Sequence, residues 1–216
     1  MVQHTADESS HAIPRVIHSC DTSRLWYKSD AKFLLPKAVL KIELRSPLAY
    51  LDPRHVNMSH MYVELLKDSL TEYAYAAELA GLKYAVSAHS YGITLSLSGF
   101  SHKMPLLLAT LAERMATLRV CPRRFAVLKE SYARALANFD AEQPYKHAVY
   151  YVGAMISEKW WSKQQLLDSM EAFTLDDVQT FVSRLLSGVF VEALAFGNVT
   201  PQQSIDMVRT VQDKIR

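Results

Sequence analysis

The chain has 216 residues, of which half are hydrophobic and 21% are charged, and its formal net charge is +2. This composition is too apolar for a disordered protein and supplies a core for one large domain or two small ones. The lysines and arginines are scattered along the chain, which argues against a nucleic-acid partner. No apolar run approaches the roughly 18 residues that cross a bilayer, so no membrane partner is expected.

The cysteines and the first residues bear on the compartment. Cys20 and Cys121 lie far apart and form no paired framework, a pattern typical of reduced thiols in the cytoplasm. The first eleven residues are polar and lack the apolar core of a secretion signal. Neither a repeat nor a linker rich in Gly, Pro or Ser interrupts the chain. We therefore expect a cytoplasmic protein, with residues 1–21 flexible or loosely packed and residues 22–216 folded as a single domain.

The first predicted elements are two strands, at residues 24–28 and 38–45, joined by a polar bend. In the second strand Ala38, Leu40, Ile42 and Leu44 alternate with charged side chains. A period of two predicts a sheet with one covered face and one more open face.

The segment 52–81 predicts a long helix at the centre of the domain. Asp52 is a favourable N-cap, Pro53 suits the first helical position, and Gly81 supplies a left-handed stop. An uninterrupted helix of this length would extend roughly 40 Å. Its apolar side chains cover most of its surface, so it should pack on more than one side.

The rest of the chain predicts a hairpin followed by helices. Residues 82–88 and 93–98 alternate on either side of a turn in which Gly92 takes positive φ. Helices are expected at 103–118, from Pro122, from Pro144 to about residue 160, at 162–173 and at 175–186. A last strand is expected at 189–196, and a closing helix from Pro201.

This element order predicts an α+β fold, with a mainly antiparallel sheet and helices packed on one side. The apolar sheet face should carry Leu40, Ile42, Leu95, Leu97, Leu194 and Phe196. The closing helix has an apolar side that is a candidate surface for self-association, formed by Ile205, Val208, Val211 and Ile215.

The pattern nearest to a metal site consists of His55, His60 and Glu64. His60 and Glu64 share a helical face at i and i+4, whereas His55 is turned away by about 140°. Two ligands on one face do not make a zinc site, which usually has three protein ligands. A polar face of the helix, exposed to solvent or in contact with another domain, explains these residues without a metal. The alternative is a small hydrolase whose metal site is rebuilt from His55, His60, Glu64 and His89.

Other catalytic patterns are equally weak. No glycine-rich phosphate loop, G-x-S-x-G elbow or C-x-x-C is present. Cys121 and His147 could form a nucleophile and its base, but Cys121 stands at a helix boundary and is better explained as a structural thiol. Trp160 and Trp161 predict a packed corner. We therefore predict no catalytic, cofactor-binding or metal-binding residue in this chain.

Six segments resemble the insulysin-like (pitrilysin-type) zinc metallopeptidases. They are LWYKSDAKFLLPKA (25–38), SPLAYLDPRHVNM (46–58), ELLKDSLTEYAYAAELAGL (64–82), YGITLSLSGF (91–100), NFDAEQPYKHAVYY (138–151) and EALAFGNVT (192–200). The resemblance extends from about Ile13 to the C-terminus. It implies the third, or middle, of four homologous α/β domains.

The resemblance also implies where the family's chemistry lies. Its inverted H-x-x-E-H zinc motif and a distant glutamate belong to the first domain, and segment 52–81 is similar to the region that holds the motif there. In this chain the spacing from His60 to Glu64 is one residue too long, and the second histidine is missing. The resemblance therefore implies that zinc is bound by a domain outside this chain, which alone should be inactive.

The favoured interpretation is a non-catalytic middle domain that acts as scaffold and as wall of the peptide-enclosing chamber. Its implied partners are neighbouring peptidase domains or a second copy, and peptide substrate only within the larger chamber. Two alternatives remain: a free-standing interaction module that docks onto another peptidase half, and the small hydrolase with a rebuilt metal site.

Overall fold

The computed structural model describes residues 13–215, except the side chains of residues 72, 74 and 76. It contains six strands: β1 (Arg15–Cys20), β2 (Ser23–Ser29), β3 (Lys37–Arg45), β4 (Leu82–His89), β5 (Gly92–Phe100) and β6 (Phe190–Gly197). It contains eight α-helices: α1 (Pro53–Ser69), α2 (Thr71–Leu79), α3 (Met104–Ala116), α4 (Pro122–Ala137), α5 (Pro144–Ile156), α6 (Lys163–Asp168), α7 (Leu175–Ser187) and α8 (Pro201–Ile215).

The six strands form one sheet in the order β1-β2-β6-β3-β5-β4. Only the β2–β6 pair is parallel among these strands, and the other four pairs are antiparallel. Strand β6 lies between β2 and β3, so the last strand of the chain completes the middle of the sheet. The predicted fold class, a mainly antiparallel α+β sheet, is confirmed.

The helices bury one face of the sheet. Leu40, Ile42 and Leu95 are fully buried on this face, as predicted, and Leu97 is nearly so. The core continues into α1, α3, α7 and α8. The hydroxyl of Tyr62 in α1 donates to the Met115 carbonyl at 2.8 Å, which ties α1 to the end of α3 inside the core.

The predicted face of β6 is wrong. Val191, Ala193 and Ala195 point into the core, whereas Leu194 is half-buried and Phe196 is 38% exposed on the open face. Helix α8 packs across β2 and β6. Two of the three inward positions are alanines, whose small side chains let this helix approach the sheet. The larger residues of β6 therefore lie on the open face, and the observed alternation is one residue out of phase with the predicted one.

The predicted long helix is broken at Leu70, between α1 and α2. Next to the break, the Ser69 hydroxyl donates to the Leu66 carbonyl and the Thr71 hydroxyl donates to the Asp68 carbonyl. Leu70 itself is fully buried. These hydroxyl groups compete with backbone N–H groups for the carbonyls of the preceding turn, which weakens the helix at this point. Burial of Leu70 then fixes the bend.

The predicted ends of this segment are confirmed. The Asp52 side chain accepts a hydrogen bond from the His55 N–H at 2.9 Å, as an N-cap does, and Pro53 is the first helical residue. Gly81 has φ +72° and ends the segment. The stop works because glycine adopts this conformation without a steric penalty.

The N-terminal prediction is corrected in part. Residues 15–20 form β1, which pairs with β2 at the edge of the sheet, whereas residues 1–12 lie outside the described range. The pairing shifts register between Val16 and His18. A bulge of this kind disrupts the period of two, which explains why the sequence pattern did not predict a strand.

The prediction that α8 exposes an apolar surface is wrong. Val208, Val211 and Ile215 are buried, because α8 packs on α3 and on the sheet.

Along the described chain, no helix combines the length and apolarity needed to cross a bilayer.

Candidate functional site

The polar side chains of α1 that come nearest to a metal pattern, His60 and Glu64, make contacts within the protein. The imidazole of His60 stacks on the Tyr132 ring of α4, with 3.9 Å between ring centroids. Burial lowers the pKa of His60 below its ordinary value, although the charge of Glu64 opposes this. Glu64 in turn accepts a hydrogen bond from the Lys67 ammonium at 2.8 Å. Both predicted ligand candidates therefore have structural partners.

His55 and His89 have separate surroundings. Nδ1 of His55 lies 2.9 Å from an Asp52 carboxylate oxygen, and its ring packs edge-on against Phe181. His89 lies at the end of β4, where Nε2 is 2.6 Å from the Thr94 hydroxyl. Each of these two imidazoles is therefore held by its own set of neighbouring residues.

A zinc ion does not fit this arrangement. Between residues 13 and 215, no group of three or more His, Cys, Asp or Glu side chains is placed to hold a metal ion. The His60 ring faces an aromatic ring, and the Glu64 carboxylate is neutralised by a lysine. Three ligands with an open fourth position, which catalytic zinc requires, cannot be assembled from this helix face.

Cys121 and His147 also have distinct partners. Cys121 is an exposed thiol at the N-terminus of α4, where the backbone N–H groups of Arg124 and Arg123 lower its pKa. His147 lies in α5 with its ring 4.4 Å from the Phe139 ring. These contacts explain each residue without a nucleophile–base pair.

An open groove of about 990 Å³ lies at one end of the sheet. Its walls carry four aromatic rings and one guanidinium, from Tyr50, Tyr91, Trp160, Phe190 and Arg45. The Arg45 guanidinium is 5.5 Å from the centre of the Tyr91 ring and 3.6 Å from a Glu192 carboxylate oxygen. The groove can accommodate an apolar or aromatic side chain beside a charged rim.

No pattern in the sequence predicts this groove. Its rings come from four separate segments of the chain, and a periodic pattern within one element cannot place them together. The available signals were Tyr91 in the hairpin turn and the adjacent Trp160 and Trp161, which were interpreted as a packed corner. That interpretation holds for Trp161, whose ring N–H points to the Tyr50 carbonyl at 3.4 Å.

The loop after β2 presents apolar side chains to solvent on a rigid backbone. The Asp30 carboxylate accepts hydrogen bonds from the backbone N–H groups of Lys32, Phe33 and Leu35, at 2.9–3.3 Å. Phe33 is 68% exposed, and Leu34 has φ +53°, a conformation that is costly for leucine. A loop ordered in this way is suited to contact another protein surface.

Comparisons with known proteins agree on one family. The family model described as the middle or third domain of peptidase M16 matches residues 1–169. The insulin-degrading enzyme of Mus musculus is 46% identical over 202 residues, which are 94% of this chain and 20% of that enzyme. The insulin-degrading enzyme of Drosophila melanogaster is 41% identical over 210 residues, which are 97% of this chain and 21% of that enzyme.

The peroxisomal insulin-degrading enzyme-like 1 of Arabidopsis thaliana is 36% identical over 206 residues, covering 95% of this chain and 21% of that protein. The chain thus spans about a fifth of the length of these curated relatives. The crystal structure of pitrilysin matches with a TM-score of 0.90 and 21% identity, over 95% of this chain and 22% of that one. The structural match shows a shared fold.

Proposed function

Because the chain belongs to the M16 peptidase family as a middle domain, we propose that it is a non-catalytic scaffold and a wall of the peptide-enclosing chamber. The observation that carries this proposal is the set of contacts that two residues of α1 make. His60 is stacked on Tyr132 and Glu64 is paired with Lys67, so the two residues nearest to a metal pattern serve packing and surface electrostatics.

The open face of the sheet supports the wall role. It carries charged pairs, with 3.4 Å between Lys41 and Glu43 and 3.6 Å between Arg45 and Glu192. The Trp26 ring N–H also donates to Glu192 at 2.6 Å. Val39 and Phe196 make one end of this face apolar. The rest of it, with its paired charges and fixed indole ring, stays hydrated and suits a water-filled chamber better than a tightly packed domain contact.

The partners follow from the same proposal. Neighbouring peptidase domains would complete the chamber, hold the zinc ion and perform the hydrolysis, and peptides would contact this chain only as part of that assembly. Names such as insulin-degrading enzyme describe the relatives, and for this chain we propose only the class of substrate, a peptide. Two free thiols, at Cys20 and Cys121, support the proposal of a cytoplasmic location.

A domain replacement tests the scaffold role. This chain would replace the matching segment of the Mus musculus insulin-degrading enzyme, and cleavage of a quenched fluorescent peptide would be measured. We expect the chimera to cleave the peptide and the chain alone to show no cleavage. His60→Ala and Glu64→Gln in the chimera should leave cleavage unchanged.

The opposite result would favour the small hydrolase. Stoichiometric zinc binding by the chain alone, lost in His60→Ala and accompanied by chelator-sensitive cleavage, would overturn the scaffold proposal. The isolated chain would then need a metal site that its described side chains do not form.

The second candidate function is a free-standing module that docks onto another peptidase half. The observation that favours it is the loop ordered by Asp30, which presents Phe33 to solvent. Adding the chain in trans to the Mus musculus enzyme that lacks the matching segment tests this function. Restored cleavage that is lost in Phe33→Asp would support docking in trans, and restoration only in the fused chimera would exclude it.

A further inference from the structure

The apolar end of the open sheet face holds a pocket of about 350 Å³. Val39 of β3 and Phe196 of β6 are paired directly across the two strands and line its floor, with exposed fractions of 43% and 38%. Phe33 and Leu35 of the loop after β2 form one wall, and both are exposed. Apolar side chains from two strands and a loop thus line one surface, which is called the β3–β6 pocket.

Two lysines line the other side of this pocket. Lys37 belongs to β3 and Lys83 to β4, and β5 lies between these strands. The Lys37 ammonium is 5.5 Å from the centre of the Phe100 ring on β5, so it leans toward Lys83. Neighbouring strands are about 4.8 Å apart, which separates the two lysine backbones by about 10 Å across the sheet. Because lysine side chains are long and flexible, one carboxylate between them can contact both ammoniums.

The two ammoniums have no carboxylate partner of their own. Within the described chain, neither Lys37 nor Lys83 forms an ion pair. Asp30 is the acidic residue among those that line the pocket, and its carboxylate already accepts hydrogen bonds from the backbone N–H groups of Phe33 and Leu35. The pocket therefore keeps a surplus of positive charge beside an apolar floor.

The groove at the opposite end of the sheet differs in this respect. The Arg45 guanidinium there is 3.6 Å from a Glu192 carboxylate oxygen, and Glu158 is next to Lys159 on the rim. These charges balance, so they favour neither an anion nor a cation. Charge selects a ligand at the β3–β6 pocket but not at the groove.

We propose that the β3–β6 pocket binds a peptide segment in which an apolar side chain stands next to a carboxylate. The apolar side chain packs on Val39 and Phe196, and the carboxylate lies between the ammoniums of Lys37 and Lys83. Hydrogen bonds between two charged groups are short and strong. Ligand pockets measure about 300–1,000 Å³, so a pocket of this size holds one or two side chains.

The choice of a peptide as ligand rests on the proposed function, in which this face belongs to the wall of a peptide-enclosing chamber. The binding itself is measured on the chain alone and does not require cleavage. A chimera that cleaves peptide while the pocket binds none would overturn this inference and leave the scaffold role intact. Binding at the pocket in a chain whose chimera is inactive would overturn the scaffold role instead.

A ¹H–¹⁵N NMR titration of the chain with the capped peptide acetyl-Gly-Phe-Glu-Gly-amide tests the proposal. The caps remove the terminal charges, so the glutamate carries the charge of this probe. The amide signals of Val39, Lys83 and Ser98 should shift with peptide concentration, and those around Trp160 should not. The same peptide with glutamine in place of glutamate should bind at least about tenfold more weakly, a change of about 1.4 kcal/mol.

Substitutions in the pocket separate its charged side from its apolar floor. Lys37→Gln and Lys83→Gln should each weaken binding of the glutamate peptide and leave the weaker binding of the glutamine peptide nearly unchanged. Val39→Thr keeps a β-branched side chain but makes the floor polar, so it should weaken binding of both peptides. Lys159→Gln, at an exposed lysine of the groove, is the matched control and should bind as the wild type does. Circular dichroism would verify that each variant is folded.

Three results would overturn the inference. The first is an absence of peptide-dependent shifts at every concentration. The second is equal affinity for the glutamate and glutamine peptides, because the lysines would then have no part in recognition. The third is a set of shifts centred on Tyr91 and Trp160, which would place the peptide in the groove at the opposite end of the sheet.

Discussion

The imidazole ring of His60 stacks on the phenol ring of Tyr132, with 3.9 Å between the ring centroids, and joins α1 to α4. A histidine that resembled a metal ligand is therefore a packing residue. Its ring is largely shielded from water, which favours the neutral imidazole over the charged form.

This contact predicts a pH dependence of stability. Burial lowers the pKa of His60 below 6.5 in the folded state, with a smaller effect of Lys67 in the same direction. The unfolded chain therefore binds the proton more readily, and the free energy of unfolding should decrease as pH falls from about 6.5 towards the folded pKa. Urea unfolding at about pH 7.5 and about pH 5.5 would measure this decrease.

His60→Phe tests the assignment, because phenylalanine keeps a ring against Tyr132 but does not titrate. The variant should lose less stability between the two pH values than the wild type. His102→Gln, at an exposed histidine, is the control. An unchanged pH dependence in His60→Phe would contradict the prediction.

The corrected face of β6 predicts a large loss of stability at one position and a small loss at the next. Ala193 is 2% exposed and faces the helices, whereas Leu194 is half-buried on the open face. Ala193→Asp would bury an unpaired carboxylate and should cost several kcal/mol of unfolding free energy. Leu194→Asp should cost about 1 kcal/mol or less, as is usual for partly exposed sites. Thermal melts of both variants would compare them, and equal losses would show that the face is misassigned.

Asp30 should stabilise the loop after β2 through its charge. The backbone N–H of Phe33 is the main cause of a lowered pKa at Asp30, so its contribution to stability is present above about pH 4 and is lost as pH falls below the ordinary carboxyl range. Asp30→Ala should cost about 1–2 kcal/mol, because three backbone donors lose a charged acceptor.

Limited trypsin digestion provides a local readout of the same change. Cleavage after Lys32 should be faster in Asp30→Ala than in the wild type, because the loop is no longer ordered. Asp213→Ala, at an exposed aspartate of α8, should change neither the melting temperature nor the cleavage rate. Equal cleavage in all three proteins would argue against an ordered loop.

Asn57 links α1 to α6 from a fully buried position. Its side-chain N–H₂ group donates to the Leu166 carbonyl and to the Ser169 hydroxyl, each at 2.8 Å. Asn57→Ala should cost about 1–3 kcal/mol, because buried acceptors lose their donor. Chemical denaturation would measure the loss, with Asn138→Ala as an exposed control. A loss as small as that of the control would refute the role of this side chain.

Local patterns predicted most elements of the fold. Alternation located β3 and β5, and prolines at 53, 122, 144 and 201 marked the starts of four helices. Patterns failed where tertiary contacts override them. The break at Leu70 depends on hydroxyl bonds and on burial, and the inward face of β6 depends on how closely α8 can approach.

The site was less predictable than the fold. The sequence indicated that α1 lacks a complete metal pattern, because that judgement needs only residue types and spacing within one helix. The stacking partner of His60 lies 72 positions further along the chain, and nothing in a single sequence marks Tyr132 as its neighbour. The exposure of α5 could not be predicted from the sequence either. A periodic apolar face normally indicates a buried helix, and only the fold shows that none of the residues of α5 is buried.

The position of β6 between β2 and β3 has a consequence for the order of folding. Ser23 in β2 pairs with Val191, and Lys41 in β3 pairs with Leu194, so both early strands need a partner that the ribosome makes more than 150 residues later. Contacts so distant in sequence form slowly, because a long loop must close first. While the chain is being synthesised, β2 and β3 have unpaired edges facing a gap. A chaperone that shields exposed strand edges should therefore bind the nascent protein until β6 has emerged.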